Sequence, residues 1–182
     1  MSAITAEDLS VFVEQLKRLL ADLSSEAEVR RLSETPEGYD PAVWKALADL
    51  GVTGLIIDED HGGFGGDAVA LELVMEEVGT ALLCSPLLSS AILAPALLQA
   101  LDDDAAKARL LPDLASGAKI ATVAITGPSA GWIEGHVAVD ATAIGADWSL
   151  TGKAAFVTHA HIADVLLVVA NAPDGVAVFE VD

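Results

Sequence analysis

Side chains able to do chemistry are sparse in this chain, and their spacing excludes several reaction types before it suggests one. The four histidines, His61, His136, His159 and His161, form no metal-ligating set. His61 stands in a glycine-rich loop, where a solvated ring is expected. His159 and His161 alternate on what reads as one face of an exposed edge strand. Cys84 is the only cysteine, which excludes an internal disulfide framework and a multi-cysteine metal centre. In its Ala-Leu-Leu-Cys-Ser-Pro setting it reads as a small buried apolar residue. What remains is the stretch Lys119–Ala170. It opens as a β-strand, turns at Thr126-Gly127-Pro128, and reaches a second expected strand carrying Phe156-Val157-Thr158. Thr126 and Thr158 supply hydroxyls that could hydrogen-bond a ligand. The competing reading is that a threonine in a strand is there for its β-propensity.

The elements that must position these residues divide into a helical and a β part. Thr5 with Asp8 resembles a capping box, and Leu9, Phe12, Val13, Leu16, Leu19, Leu20 and Leu23 follow at helical spacing. The charged stretch 24–38 lacks an apolar period and is expected to be a loop or a short solvated helix. Asp40-Pro41 gives an N-cap with proline at the first helical position, and Gly51 is a helix stop after Val43, Trp44, Leu47 and Leu50. Four glycines in the run Gly62-Gly63-Phe64-Gly65-Gly66 require a loop with unusual backbone angles. Asp67 caps a further helix ending at Gly79. The apolar stretch 81–101, interrupted by Pro86, Pro95 and Gln99, reads as a buried helix pair rather than a membrane span. Asp102–Asp104 open a last helix that ends near Ser116-Gly117. From Lys119 the period changes to two. Val137, Val139 and Ala141 alternate with His136, Ala138 and Asp140, and 164–170 and 176–181 are β-branched runs joined by the turn Pro173-Asp174-Gly175. The expected class is α+β, with an all-α domain over 1–117 and an incomplete antiparallel β-barrel or sheet domain over 118–182. The sequence stops straight after a strand, and the chain reads as a fragment.

Composition narrows the partners. The net charge is −19, with 21 acids against 7 bases in residues 1–117 and 7 against 2 in residues 118–182. Both halves repel phosphate backbones and anionic lipid, which argues against nucleic-acid or membrane-surface binding. Hydrophobic residues make up 53% of the chain but aromatics only 4%, so the core must be aliphatic. That surplus of aliphatic surface is consistent with burial against another subunit or domain. No secretory signal is read at the N-terminus, and a cytoplasmic location is expected.

Three stretches, in order, resemble the acyl-CoA dehydrogenases. The first is Trp44–Val52 followed by the His61–Gly66 glycines. The second is Glu76-Glu77-Val78-Gly79 with Ser85-Pro86-Leu87, Leu110-Leu111-Pro112 and Ala115-Ser116-Gly117. The third is Thr126-x-Pro128, Leu150-x-Gly152-Lys153, Phe156-Val157-Thr158 and Ala163-Asp164. The resemblance covers nearly the whole chain. It implies an FAD flavoprotein oxidoreductase of lipid metabolism, in fatty-acid or steroid degradation, which oxidises the α–β bond of an acyl-CoA thioester. It further implies that Thr126 and Thr158 hydrogen-bond the flavin ring, with Thr158 near its N5. Val123, Ile125, Phe156 and Val157 would pack on the ring or present backbone amides. Gly131 and Trp132 would lie at the turn approaching the pyrophosphate and thioester. In the family that turn usually reads Thr-Glu-Pro and then Gly-Ser-Asp, whereas this chain has Gly127 for the acid and Trp132-Ile133 for the serine and aspartate.

The family's catalytic glutamate belongs to a C-terminal four-helix domain that has no counterpart here, so no acid of this chain is nominated for it. Three functions follow. The chain is part of an FAD-dependent acyl-CoA dehydrogenase, a homo- or hetero-oligomer (dimer or tetramer) that passes electrons to an acceptor. Alternatively it is a non-catalytic, flavin-poor subunit of a heteromeric member, or a helical partner-binding module.

Overall fold

The computed structural model describes residues 5–129, 134–145 and 147–181. The chain separates into two compact units, Met1–Lys119 and Ile120–Asp182.

The first unit is helical, and local chemistry sets most of its boundaries. Helix α1 (Ala6–Leu23) starts at Thr5, whose hydroxyl accepts from the Asp8 N–H. Leu16 and Leu20 are the buried members of its apolar stripe. The charged stretch after it forms α2 (Glu26–Ser33), capped by Ser25 and fringed with the ion pairs Arg30–Glu26 and Arg31–Glu28. Helix α3 (Pro41–Leu50) has Asp40 as its N-cap and Gly51 in the left-handed conformation at its end, φ 93°. Helix α4 (Ala68–Thr80) is capped by Asp67, whose carboxylate accepts from two backbone N–H groups. Caps of this kind are each worth about 1 kcal/mol.

Between α3 and α4 the glycine-rich loop folds back over residues 54–57. Phe64 N–H donates to Gly54 O, Gly65 N–H to Ile57 O and Gly66 N–H to Leu55 O. A Cβ on Gly63 would lie 2.0 Å from the Ile57 carbonyl oxygen, so close backbone approach is what requires glycine there.

The stretch expected to be a helix pair is instead one helical run. A π-helical segment, Leu87–Leu93, passes directly into α5 (Ala94–Ala100). Ala94 N–H donates to Ser89 O five residues back, just ahead of Pro95, which has no N–H to continue an α-helical ladder. Gln99 on α5 secures the loop after α3, accepting from the Asp58 N–H and donating to Ile56 O. Helix α6 (Asp104–Ala115) is capped by Asp103. Its C-terminal end receives two side-chain donors from the α3 region, Trp44 Nε1–H to Gly117 O at 3.0 Å and Thr53 Oγ1–H to Ala115 O at 2.6 Å. The core is aliphatic as composition demands, with Leu16, Leu47, Ile57, Leu98, Leu110, Leu111 and Leu114 fully buried.

The second unit is a five-stranded sheet of β1 (Ala121–Ala124), β2 (Val139–Ile144), β3 (Asp147–Gly152), β4 (Val165–Ala172) and β5 (Gly175–Val181). The order is β1-β4-β2-β3, with β5 also paired to β4. Hairpins β2–β3 and β4–β5 are antiparallel, the second closed by the expected Pro173-Asp174 turn. The non-local pairs β1–β4 and β2–β4 are parallel, so the sheet is mixed, incomplete and not a closed barrel. Its α+β class is the one the sequence leads to. Val139, Ala141 and Ala170 form a buried cluster on one sheet face, flanked by Leu150, Val168 and Phe179. Among the described residues, no helix is long and apolar enough to cross a membrane.

Candidate functional site

Strand β1 ends in the segment that carries Thr126. Ala121, Thr122 and Ala124 are buried, while Val123 and Ile125 are half-buried and Thr126 is 7% exposed. The parallel register Ala121↔Val165 to Ala124↔Val168 fixes one edge of β1 against β4. Beyond Thr126 the chain turns, and Gly127 N–H donates to His136 O at 3.2 Å. Gly127 is buried there. A Cβ at this position would lie 2.5 Å from that same carbonyl oxygen and 2.8 Å from Ala138 Cβ. The turn therefore excludes any side chain at 127, and glycine in place of an acid follows from the close approach of residues 136–138. Gly152 is under a similar constraint, since its Cβ would lie 2.2 Å from Ala138 O.

Residues 155–158 lie alongside Thr122 of β1 and Thr126 just beyond it. These were expected to be a strand, and the structure corrects that reading: 153–164 is irregular and turn-rich. The reason is conformational. Phe156 and His159 both adopt left-handed backbone angles, φ 56° and 59°, which an extended strand cannot contain. Two hydrogen bonds hold the segment there, from Ala155 N–H to Thr126 O at 2.7 Å and from Thr122 Oγ1–H to Thr158 O at 2.6 Å. The segment then closes a turn, Ile162 N–H to His159 O, and Asp164 anchors the start of β4 by exchanging bonds with Ile120. His159 and His161 thus sit in a turn, not along a strand face. Burial is the main cause that lowers the His159 pKa from its ordinary value, with the nearby His161 adding to it.

These two bonds bring the Phe156-Val157-Thr158 segment alongside Thr122 and Thr126; Val123 and Ile125 are the sequence neighbours of those two threonines. Phe156 is 77% exposed, an unusual position for a phenylalanine held in a disfavoured backbone conformation. Thr158 is exposed as well, whereas Thr126 is buried. Gly131 and Trp132 lie outside the described residues. Among the described residues, no group of His, Cys, Asp and Glu is placed to hold a metal ion.

Two neighbours of this segment were not assigned to the site from sequence. Thr122 reads as an ordinary strand threonine, and only its burial and its bond to Thr158 distinguish it. His136 sits on a short 3-10 turn (Glu134–His136) beside Gly127, and its Nδ1 is buried without a hydrogen-bond partner. A lone histidine between Gly135 and Val137 gives no sign of this.

Residues 7–118 match the family model for the acyl-CoA dehydrogenase N-terminal domain. The acyl-CoA dehydrogenase IpdE2 of Mycolicibacterium smegmatis is 35% identical over 119 residues, covering 65% of this chain and 37% of that protein. Among solved structures, a variant of the Tcur3481–Tcur3483 steroid ACAD superposes with a TM-score of 0.83 at 29% identity, covering 97% of this chain and 48% of the other. A glutaryl-CoA dehydrogenase from Mycobacterium smegmatis, solved in complex with FADH2, has the same fold, with a TM-score of 0.85 at 24% identity over 98% of this chain and 46% of the other. The chain spans a little over a third of that curated relative and about half of these solved structures.

Proposed function

The chain belongs to the acyl-CoA dehydrogenase family, and on that premise we propose that it forms part of an FAD-dependent enzyme oxidising an acyl-CoA thioester. What supports this reading is that hydrogen bonds to Thr122 and Thr126 hold the Phe156-Val157-Thr158 segment alongside the end of β1. That arrangement provides what a flat ring system needs on one side: an exposed aromatic face, half-buried aliphatic neighbours and hydroxyl donors at the margin. The Nδ1 of His136, beside the Gly127 turn, is buried and lacks a hydrogen-bond partner.

In this reading the hydroxyls of Thr158 and Thr126 donate to the ring's polar edge, Thr158 on the exposed side. Phe156 and Val157 cover the ring and keep water from it, and Val123 and Ile125 pack beneath. Gly131 and Trp132 retain the roles the resemblance gives them, on the approach to the pyrophosphate and thioester. When bound, FAD would supply the hydride acceptor for α,β-dehydrogenation. No acid of this chain is assigned as the proton-abstracting base. Substrate, electron acceptor and co-subunit are likewise proposed from the family.

Gly127 favours a second reading. A side chain cannot be accommodated at the position where the family usually has an acid, so the turn offers one polar group fewer to a cofactor. A subunit of a heteromeric enzyme, itself flavin-poor, would tolerate that loss. The two-part name of the steroid ACAD relative supports a hetero-oligomeric setting.

Isothermal titration with FAD, on the chain alone and with a candidate co-subunit, separates the two. The first reading expects saturable binding that Thr158→Val weakens by about tenfold, the loss of one hydrogen bond of about 1.4 kcal/mol. Wild-type protein that takes up no FAD in either setting contradicts it and leaves the second.

A further inference from the structure

We propose that Thr122 is a positioning residue for the flavin-facing segment: its buried hydroxyl sets the height of Thr158 against β1. The inference rests on the function proposed above and adds to it a residue that never touches the cofactor.

Thr122 lies in the middle of β1 with no exposed surface, between Ala121 and Val123. At such a site valine would fill the same volume without a polar atom to satisfy, and a buried hydroxyl is unfavourable unless it is bonded. The bond it makes is short and specific, 2.6 Å to the Thr158 carbonyl oxygen, across 36 residues of sequence. It leaves the strand's own backbone ladder with β4 intact.

The segment it holds needs holding. Phe156 and His159, on either side of Val157-Thr158, both have left-handed backbone angles that side-chain-bearing residues avoid. Conformations of this kind persist only where the surroundings over-determine them. Two bonds contribute to this here, one to β1 and one to Thr126 just beyond it. Ala155 N–H to Thr126 O fixes the near end and Thr122 Oγ1–H to Thr158 O the far end, with Phe156 and Val157 between. Without the second bond, Phe156, Val157 and Thr158 lose their far-end tie to β1 and relax towards ordinary backbone angles. Phe156 and the Thr158 hydroxyl then leave the positions in which the proposed site uses them.

The test compares Thr122→Val, which keeps volume and removes the hydroxyl, with Thr122→Ser, which keeps the hydroxyl. Amide hydrogen exchange at Ala155 and Ile162, whose N–H groups bond Thr126 O and His159 O at the two ends of the segment, is the first readout and needs no flavin. Thr122→Val should speed exchange there on the order of tenfold, as expected for one net hydrogen bond, while β4 and β5 exchange at the wild-type rate. Thr122→Ser should restore slow exchange. FAD affinity, measured on the same proteins together with any co-subunit the wild type requires, should fall in Thr122→Val and recover in Thr122→Ser. Unchanged exchange in Thr122→Val overturns the proposal, as does faster exchange spread evenly over the sheet. Looser exchange with undiminished FAD affinity also overturns it. If Thr122→Val does not fold, Thr122→Ala against Thr122→Ser gives the same contrast. A wild-type protein that takes up no FAD overturns the proposed function and with it the purpose assigned to Thr122, and the flavin-free exchange readout distinguishes that failure from the failure of the tether itself.

Discussion

Replacing Gly127 by alanine is the sharpest test of the packing that shapes the Thr126 turn. The added Cβ would lie 2.5 Å from the His136 carbonyl oxygen and 2.8 Å from Ala138 Cβ. Both are closer than real Cβ contacts, and the nearer atom is backbone, which cannot swing aside as a flexible side-chain tip would. The clash is relieved only by moving residues 136–138 or the turn, and such overpacking costs about 1–3 kcal/mol. Either movement also strains the Gly127 N–H to His136 O bond, worth about 1 kcal/mol. A total near 2–4 kcal/mol follows, within reach of urea denaturation followed by far-UV circular dichroism. Gly135→Ala is the internal control, because a Cβ there meets nothing within 4 Å and its φ is not positive. That variant should stay within about 0.5 kcal/mol of wild type. The reasoning is refuted if Gly127→Ala matches Gly135→Ala. An acid at 127 should destabilise at least as much as alanine, which would also show why the family's usual residue is not tolerated in this chain.

Three further outcomes follow from the same structure. Trp44→Phe removes the donor to Gly117 O from a side chain that is 5% exposed, and should cost about 1–3 kcal/mol in the same urea assay; an unchanged midpoint would mean that the bond is dispensable. Gly63→Ala drives a Cβ into the Ile57 carbonyl and should prevent the glycine-rich loop from closing, read as rapid amide exchange at Phe64, Gly65 and Gly66. His159 binds its proton less readily folded than unfolded. Stability should therefore fall as pH is lowered through the ordinary imidazole value of 6.5, with the loss complete below the lower folded-state pKa. His159→Asn, which tolerates a left-handed φ, should flatten the difference between urea midpoints at pH values above and below that range; an unaltered difference would place the pH dependence elsewhere.

The elements legible in the sequence are those whose determinants are local. Thr5, Asp40, Asp67 and Asp103 each cap the helix that follows, because a short polar side chain needs only the next two or three N–H groups. Gly51 ends α3 for an equally local reason, its left-handed φ. The alternation at Val139–Ala141 and the Pro173-Asp174 turn likewise report on nearest neighbours. What could not be read depends on distant partners. Phe156-Val157-Thr158 has strand propensity, yet contacts with Thr122 and Thr126 some thirty residues earlier hold it in a shape no local rule anticipates. The parallel pairing of β1 with β4 joins segments 44 residues apart, and hydrophobic period carries no information on strand direction. The π-helical stretch before Pro95 defeats a reading that treats proline as a boundary between two helices. At the candidate site, sequence gave residue types and order through family resemblance, while Thr122 and His136 emerged only from burial and hydrogen bonding.

The central claim is that the surface beside β1 carrying Thr126, Phe156 and Thr158 binds flavin. Equilibrium titration of FAD into the protein, with its co-subunit where one is required, tests this most directly when wild type is compared with Phe156→Ala. Removing a ring that is 77% exposed should leave stability within about 0.5 kcal/mol of wild type, since little buried contact is lost. The account predicts that FAD affinity nevertheless drops, by about tenfold for the loss of one stacking contact. Equal affinity in the two proteins, or no FAD binding by either, would contradict it.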